Sequence, residues 1–431
     1  QYLISLASQK MAKIESWQFP NAVGSLRLCF GMTLLFTAFQ EVQNAAPLDI
    51  KEIGLGNFGF YALATFYGGM LFGNQVAPRI IHRVGGRTSL PIAALGYLFF
   101  IGSLLVVSHI SVSGSSAVVV LVSIALCGLL GGLLWPSQGY VLTHYAPQHL
   151  LNWYMSMFSL SFFASGFLGP AVVTPVIDFA GPHSIAVPLT LLTLALLGVL
   201  LLCRLPASDQ PHTSVSSASS LSLKLLFEAP ARRLGFLSFA EGWCLNAYVP
   251  AMLPIMASRW NSTSSHSEHE HFQLTLLLNG LGHIFASVVY APMADRFGRR
   301  WMVLFQAAMA LVALMLAELD LSLDQALLDL SAAFFLGFST ILARTNNNAI
   351  CGNLYRERAG SAFALLATLR GLGAIAGMLV MPSISGSWSR EVVAASLGCL
   401  CAASLFAAVH MPLFTSEAGS NLEDLEPCAE A

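Results

Sequence analysis

Apolar stretches of about 20 residues, each enough to cross roughly 30 Å of hydrocarbon, recur along the chain with short polar breaks between them. They fall at 22–43, 57–78, 89–108, 116–140, 152–175 and 184–203, then at 234–256, 272–294, 301–317, 329–350, 361–382 and 391–413. These predict twelve helices that are apolar on all sides, as expected where lipid is the solvent. The stretch at 301–317 is short, and the one at 116–140 is long enough to need tilt. Proline and glycine inside the spans are no objection, because neighbouring helices can satisfy the freed backbone groups.

Composition removes the soluble alternative. Of 431 residues, 56% are hydrophobic and 10% charged, whereas a water-exposed globule carries about 25% charged residues. A net charge of -2 gives no reason to expect nucleic acid; the lipid bilayer is the first partner. Most of the eight cysteines sit in apolar runs and read as small packing hydrophobes rather than a disulfide framework.

Charge placement then sets an orientation. With the amino terminus in the cytoplasm, 15 of the 20 basic residues fall in cytoplasmic segments, counting Arg344, which also fits inside its helix. Only Lys51, Arg259 and Arg390 fall outside, and Arg27 and Arg370 lie within spans. This asymmetry satisfies the positive-inside rule. The same topology puts the sequon Asn261-Ser262-Thr263 in an outer loop, where Asn261 is a candidate glycosylation site. A Ser-rich polar stretch predicts a flexible cytoplasmic linker at 205–231, between a half at 1–204 and a half at 232–414. An acidic cytoplasmic tail follows at 415–431.

The halves echo each other. Arg83-Val84-Gly85-Gly86-Arg87 follows the second span and Arg296-Phe297-Gly298-Arg299-Arg300 follows the eighth, at a constant offset of 213 residues. Two six-helix repeats related by an axis along the membrane normal account for this. Glycine allows the tight reversal, and Asp295 can accept from arginine or cap a helix. By its residues this is a plain short basic loop; the family resemblance given below implies a latch between the halves. His82 stands at the position of Asp295 in the first copy; a latch there is weaker, or sensitive to pH near the usual histidine value of about 6.5.

Three stretches carry a family resemblance: LLFTAFQ at 34–40, the second span through RVGGR, and LLWPSQGYVLTHYA at 133–146. Through Phe36 to Gln40, Asn44, Leu134, Trp135, Gln138, Gly139, Leu142 and Thr143, the chain resembles the uncoordinated-93-like family of major facilitator proteins. The resemblance implies an all-α membrane protein of twelve helices in two pseudo-symmetric halves. It implies either a carrier or a non-transporting scaffold that regulates an ion channel or receptor trafficking, with another membrane protein as partner.

Ionisable groups deep in a span are candidate functional sites by default. Glu241 lies eight residues beyond Arg233, about 12 Å into its helix, and Arg370 twelve beyond Arg358, about 18 Å in. Arg344 lies twelve before Arg356. Glu241 is expected to pair with Arg370 or Arg344, leaving one positive charge for a small anionic or zwitterionic solute, with Glu241 as a proton carrier; a structural ion pair is the other reading. Gln40, Gln138 and Asn347 complete the candidate cavity, while Glu41 reads as an interfacial residue in water. His266 to His271, with three His and two Glu, lacks a defined geometry for a metal. No P-loop, nucleophile elbow or ordered metal-ligand set is present, so neither an enzyme nor a cofactor is expected.

Overall fold

A computed structural model describes residues 21–50, 58–107, 114–147, 150–181, 184–206, 222–243, 268–323 and 326–380, and every regular element among them is helical. The helices are α1 (Ala22–Ile50), α2 (Phe58–Val84), α3 (Gly86–Val107), α4 (Gly114–Tyr145) and α5 (Leu151–Ala180, interrupted at Ala164). Then come α6 (Ala186–Cys203), α7 (Ala229–Gly242), α8 (Glu268–Phe297), α9 (Arg299–Leu323), α10 (Ala326–Leu354) and α11 (Ala359–Val380). The span predicted at 391–413, the outer part of the seventh, Asn261 and the acidic tail lie outside the described residues. So do the side chains of the His266–His271 run.

Seven of the described helices are long and apolar enough to cross a membrane on those two criteria alone. Large apolar side chains on their outer faces, such as Phe30, Phe72, Phe99 and Phe285, are exposed; with hydrocarbon as solvent, that exposure carries no penalty. Helix ends differ from the hydropathy pattern where polar residues continue a helix. The ninth span is 25 residues rather than 17, and α7 starts at Ala229, preceded by a 3-10 turn over Ser222–Phe227 within the expected linker. Leu225 in that turn is buried.

Helices approach each other through small residues, the usual means where no hydrophobic effect drives helix against helix. Gly69 and Gly73 on α2 face Gly128 and Gly132 on α4, where a Cβ on either side would collide with the opposing backbone. Among the described helices, α1 to α6 pack mainly on one another, as do α8, α9 and α10. Between these groups, α2 packs on α11 and α5 packs on α8. The 213-residue offset relates α2 to α8 and α5 to α11, so the two interfaces exchange under the repeat.

The repeated turns have the same geometry. Gly85 and Gly298 have φ of 80° and 82°, a left-handed conformation that glycine adopts without steric cost. Each donates its N–H back into the preceding helix, to Ile81 and Ala294, at 2.9 Å.

Candidate functional site

Three buried charged residues meet where α7, α10 and α11 converge. Glu241 on α7 is 2% exposed. Arg370 on α11 donates from Nη2 to Glu241 Oε2 at 3.1 Å, and Asn347 on α10 donates to the same oxygen at 3.1 Å. Arg370 Nε lies 2.7 Å from Glu241 Oε1, close enough for a strong Coulomb contact although not aligned as a hydrogen bond. Arg344 Nε stands 3.8 Å from Oε1. One carboxylate is therefore shared by two guanidinium groups, with one positive charge in excess.

Arg344 is held from the other side by aromatic rings of the first six helices. Its Cζ is 4.6 Å from the Trp135 ring centroid on α4, and 5.6 Å and 5.4 Å from Phe162 and Phe163 on α5. A desolvated cation over an aromatic face gains about 2 kcal/mol, which offsets part of its burial. Arg344, expected among the cytoplasmic basic residues, is instead 8% exposed inside α10.

Arg344 and Arg370, with the aromatic rings around Arg344, border a cavity. Gln40 and Gln43 of α1, Tyr67 of α2, and Asn279 and His283 of α8 line it together with Trp135, Arg344 and Arg370. Of the sequence candidates, Gln40, Arg344 and Arg370 are on the wall, whereas Glu241 and Asn347 stand behind Arg370. Gln138 is buried in α4 but is not among the lining residues. Sequence reasoning passed over Tyr67, Asn279 and His283; a histidine and an asparagine four residues apart in an apolar run were the available signal.

Glu41 is not an interfacial residue in water. It is 6% exposed, and Oε1 accepts a hydrogen bond from Gln273 Nε2 on α8 at 2.9 Å, because α1 continues beyond it to Ile50. Cys29, Cys127 and Cys351 are buried as packing residues, but Cys203 is exposed.

At the end of the molecule with the repeated turns, Asp295 bridges to the first six helices. Its Oδ1 accepts from Asn152 Nδ2 at 2.9 Å and its Oδ2 from Trp153 Nε1 at 3.1 Å, both on α5. Arg299 Nη2 donates to Asn152 Oδ1 at 3.0 Å, and its backbone carbonyl accepts from Asn346 Nδ2. Arg296 lies over the Phe297 ring at 5.3 Å and Arg300 is exposed. The first copy is dissimilar, with His82, Arg83 and Arg87 exposed at the surface. Asp295→Ala removes two hydrogen bonds to a charged acceptor, a loss of about 1–3 kcal/mol. With Cys351 kept as the sole cysteine, its alkylation rate is expected to rise on the order of tenfold, and an unchanged rate would show that Asp295 does not hold this end closed.

A membrane-spanning helical bundle with a charged, aromatic-walled cavity between two groups of helices has the architecture of a secondary transporter. A family model described as Major Facilitator Superfamily matches residues 22–259 and 234–424, and the chain belongs to that family. About a third of the chain is similar to UNC93-like proteins. UNC93-like protein 1 of Arabidopsis thaliana is 27% identical over 161 residues, covering 36% of this chain and 32% of that protein. Protein unc-93 homolog A of Bos taurus is 30% identical over 160 residues, covering 35% and 33%. The matched stretch thus spans about a third of these relatives. Among solved structures, the human organic anion transporter MFSD10 (TETRAN) superposes with a TM-score of 0.70 at 15% identity, over 90% of this chain and 100% of that one. That likeness concerns the fold.

Proposed function

We propose that the chain carries a small organic anion across the membrane by alternating access of the halves 1–204 and 232–414, with the amino terminus cytoplasmic. The observation that supports this is the sharing of Glu241 by Arg344 and Arg370 at the cavity wall. An uncompensated cation inside a low-dielectric bundle is costly, and an incoming carboxylate supplies the missing counter-charge in the bidentate geometry a guanidinium favours. Residues Arg83, Gly85, Arg87, Asp295, Arg296, Gly298, Arg299 and Arg300 form the gating turns in this reading, with the Asp295 set acting as the closed latch.

Uptake into proteoliposomes of carbon-14-labelled acetate, butyrate and succinate, against glucose and choline, tests the proposal. Arg370→Gln leaves Glu241 matched by Arg344, so that variant is expected to fold while anion uptake falls at least tenfold, the scale of one charged hydrogen bond of about 1.5–3 kcal/mol. Uptake of glucose or choline with no anion uptake, or full anion uptake by the Arg370→Gln chain, would refute it.

A further inference from the structure

On the wall of the same cavity stands a histidine whose polar atoms have no bonding partner in the protein. His283 is 9% exposed, and both Nδ1 and Nε2 are buried with no hydrogen-bond partner in the protein. Its ring meets the Phe163 edge at 5.3 Å and supports the cavity wall. Buried polar atoms are nearly always paired, and leaving a pair of nitrogens unmet costs free energy that only a bound group or water recovers. An uncharged imidazole offers one donor and one acceptor, the combination a hydroxyl group matches.

A second polar atom converges on the same spot. The position that a Cβ on Gly166 would take lies 3.1 Å from Gln40 Oε1 and 3.4 Å from His283 Nδ1. Both atoms thus lie within 3.4 Å of one point, so an amide oxygen from α1 and an imidazole nitrogen from α8 converge, and both side chains line the cavity. Gln40 and His283 belong to different halves, so a group bound there touches both.

The spacing limits what fits. Phe163 contacts both polar ends: Arg344 Cζ is 5.4 Å from its centroid and the His283 ring is 5.3 Å from it. Laid end to end those distances give an upper bound of about 11 Å between guanidinium and imidazole. A hydrogen-bonded carboxylate at one end and a hydroxyl at the other each take up roughly 4 Å of that, measured to the ring or guanidinium centre. At most about 3 Å therefore remains between the carboxylate carbon and the hydroxyl oxygen, which admits a hydroxyl on the second or third carbon and excludes one farther along an extended chain. An ammonium in place of the hydroxyl would add to the excess positive charge of the Arg344 and Arg370 pair. We infer that Gln40 and His283 form a hydroxyl subsite, and that the solute is a short 2- or 3-hydroxy monocarboxylate. The inference rests on the organic-anion reading of the arginine end and adds the selectivity for the second group.

The test compares two acids that differ by one hydroxyl, 3-hydroxybutyrate and butyrate, in isothermal titration of the full purified chain in lipid nanodiscs. Wild-type protein is expected to bind 3-hydroxybutyrate about tenfold more tightly than butyrate, since a site arranged to bond a hydroxyl discriminates against the analogue that lacks it. His283→Phe is expected to bring 3-hydroxybutyrate down to the butyrate level and leave butyrate unchanged. Arg370→Gln weakens both acids alike, so an Arg370→Gln chain that binds both normally counts against the anion reading, not against the subsite. Equal affinities in the wild-type protein, which needs no variant to fold, overturn the subsite. So does a His283→Phe chain that loses both acids equally, or wild-type protein that binds neither.

Discussion

Glu241→Ala is expected to lose about 3–5 kcal/mol of stability, the cost of leaving a buried charge without its partner, and in this chain two charges are stranded at once. The side chains of Glu241, Arg344 and Arg370 are 1%, 9% and 9% exposed, so solvent screening offers little relief. The converse change is milder. In Arg370→Gln the single carboxylate keeps Arg344 at 3.8 Å and Asn347 at 3.1 Å, and the net charge of the cluster falls from one to zero. The double variant Glu241→Gln with Arg370→Gln restores the original excess of one, carried by Arg344 within its aromatic surround. Melting temperatures of the purified variants should therefore run wild type close to Arg370→Gln, then the double variant, then Glu241→Ala lowest. A Glu241→Ala protein that melts with the wild type would show that the two guanidinium groups find other compensation, and would remove the charge argument for the cavity.

The spans that the structure describes were readable because hydrocarbon leaves little choice: a helix that crosses it must be apolar for about 20 residues. Ionisable residues within such runs stand out by contrast, which is why Glu241, Arg344 and Arg370 were identifiable from spacing alone. What they meet was not identifiable. Hydropathy has no rotational phase in a helix that is apolar all round, so nothing in the sequence distinguished Gln40, on the cavity wall, from Gln138, buried in α4 away from it. Glu41 illustrates the weakness of boundaries: ending the first helix at residue 43 places it in water, whereas the helix runs to Ile50 and buries it against Gln273. His283 was missed for a related reason. Its importance lies in having no partner, a property of the assembled bundle. The repeated turns were legible because glycine at a fixed offset reports a backbone conformation directly, yet only the second copy makes contacts from its acidic position. His82 at the equivalent place is exposed.

Gly242→Val is expected to disrupt the site without altering any charged residue. Gly242 follows Glu241 on α7, and a Cβ there would sit inside the carbonyl group of Arg370. The relation is reciprocal, because a Cβ on Gly373 of α11 would collide with the carbonyl of Phe239 on α7. Two glycines thus set the closest approach of α7 and α11, and that approach brings Glu241 and Arg370 into contact. A valine at 242 forces the backbones apart, and forced overpacking costs about 1–3 kcal/mol, to which any lengthening of the Glu241–Arg370 contact adds. The expected result is a lower melting temperature together with butyrate binding weakened at least tenfold, on the scale of one charged hydrogen bond. Gly102→Val on α3 is the control, since nothing lies within 4 Å of a Cβ at that position; it should leave both measurements unchanged. Should Gly242→Val bind butyrate as the wild type does, the fixed spacing of α7 and α11 is not what holds Arg370 in place, and the positioning of the anion site must come from α10 through Asn347 instead.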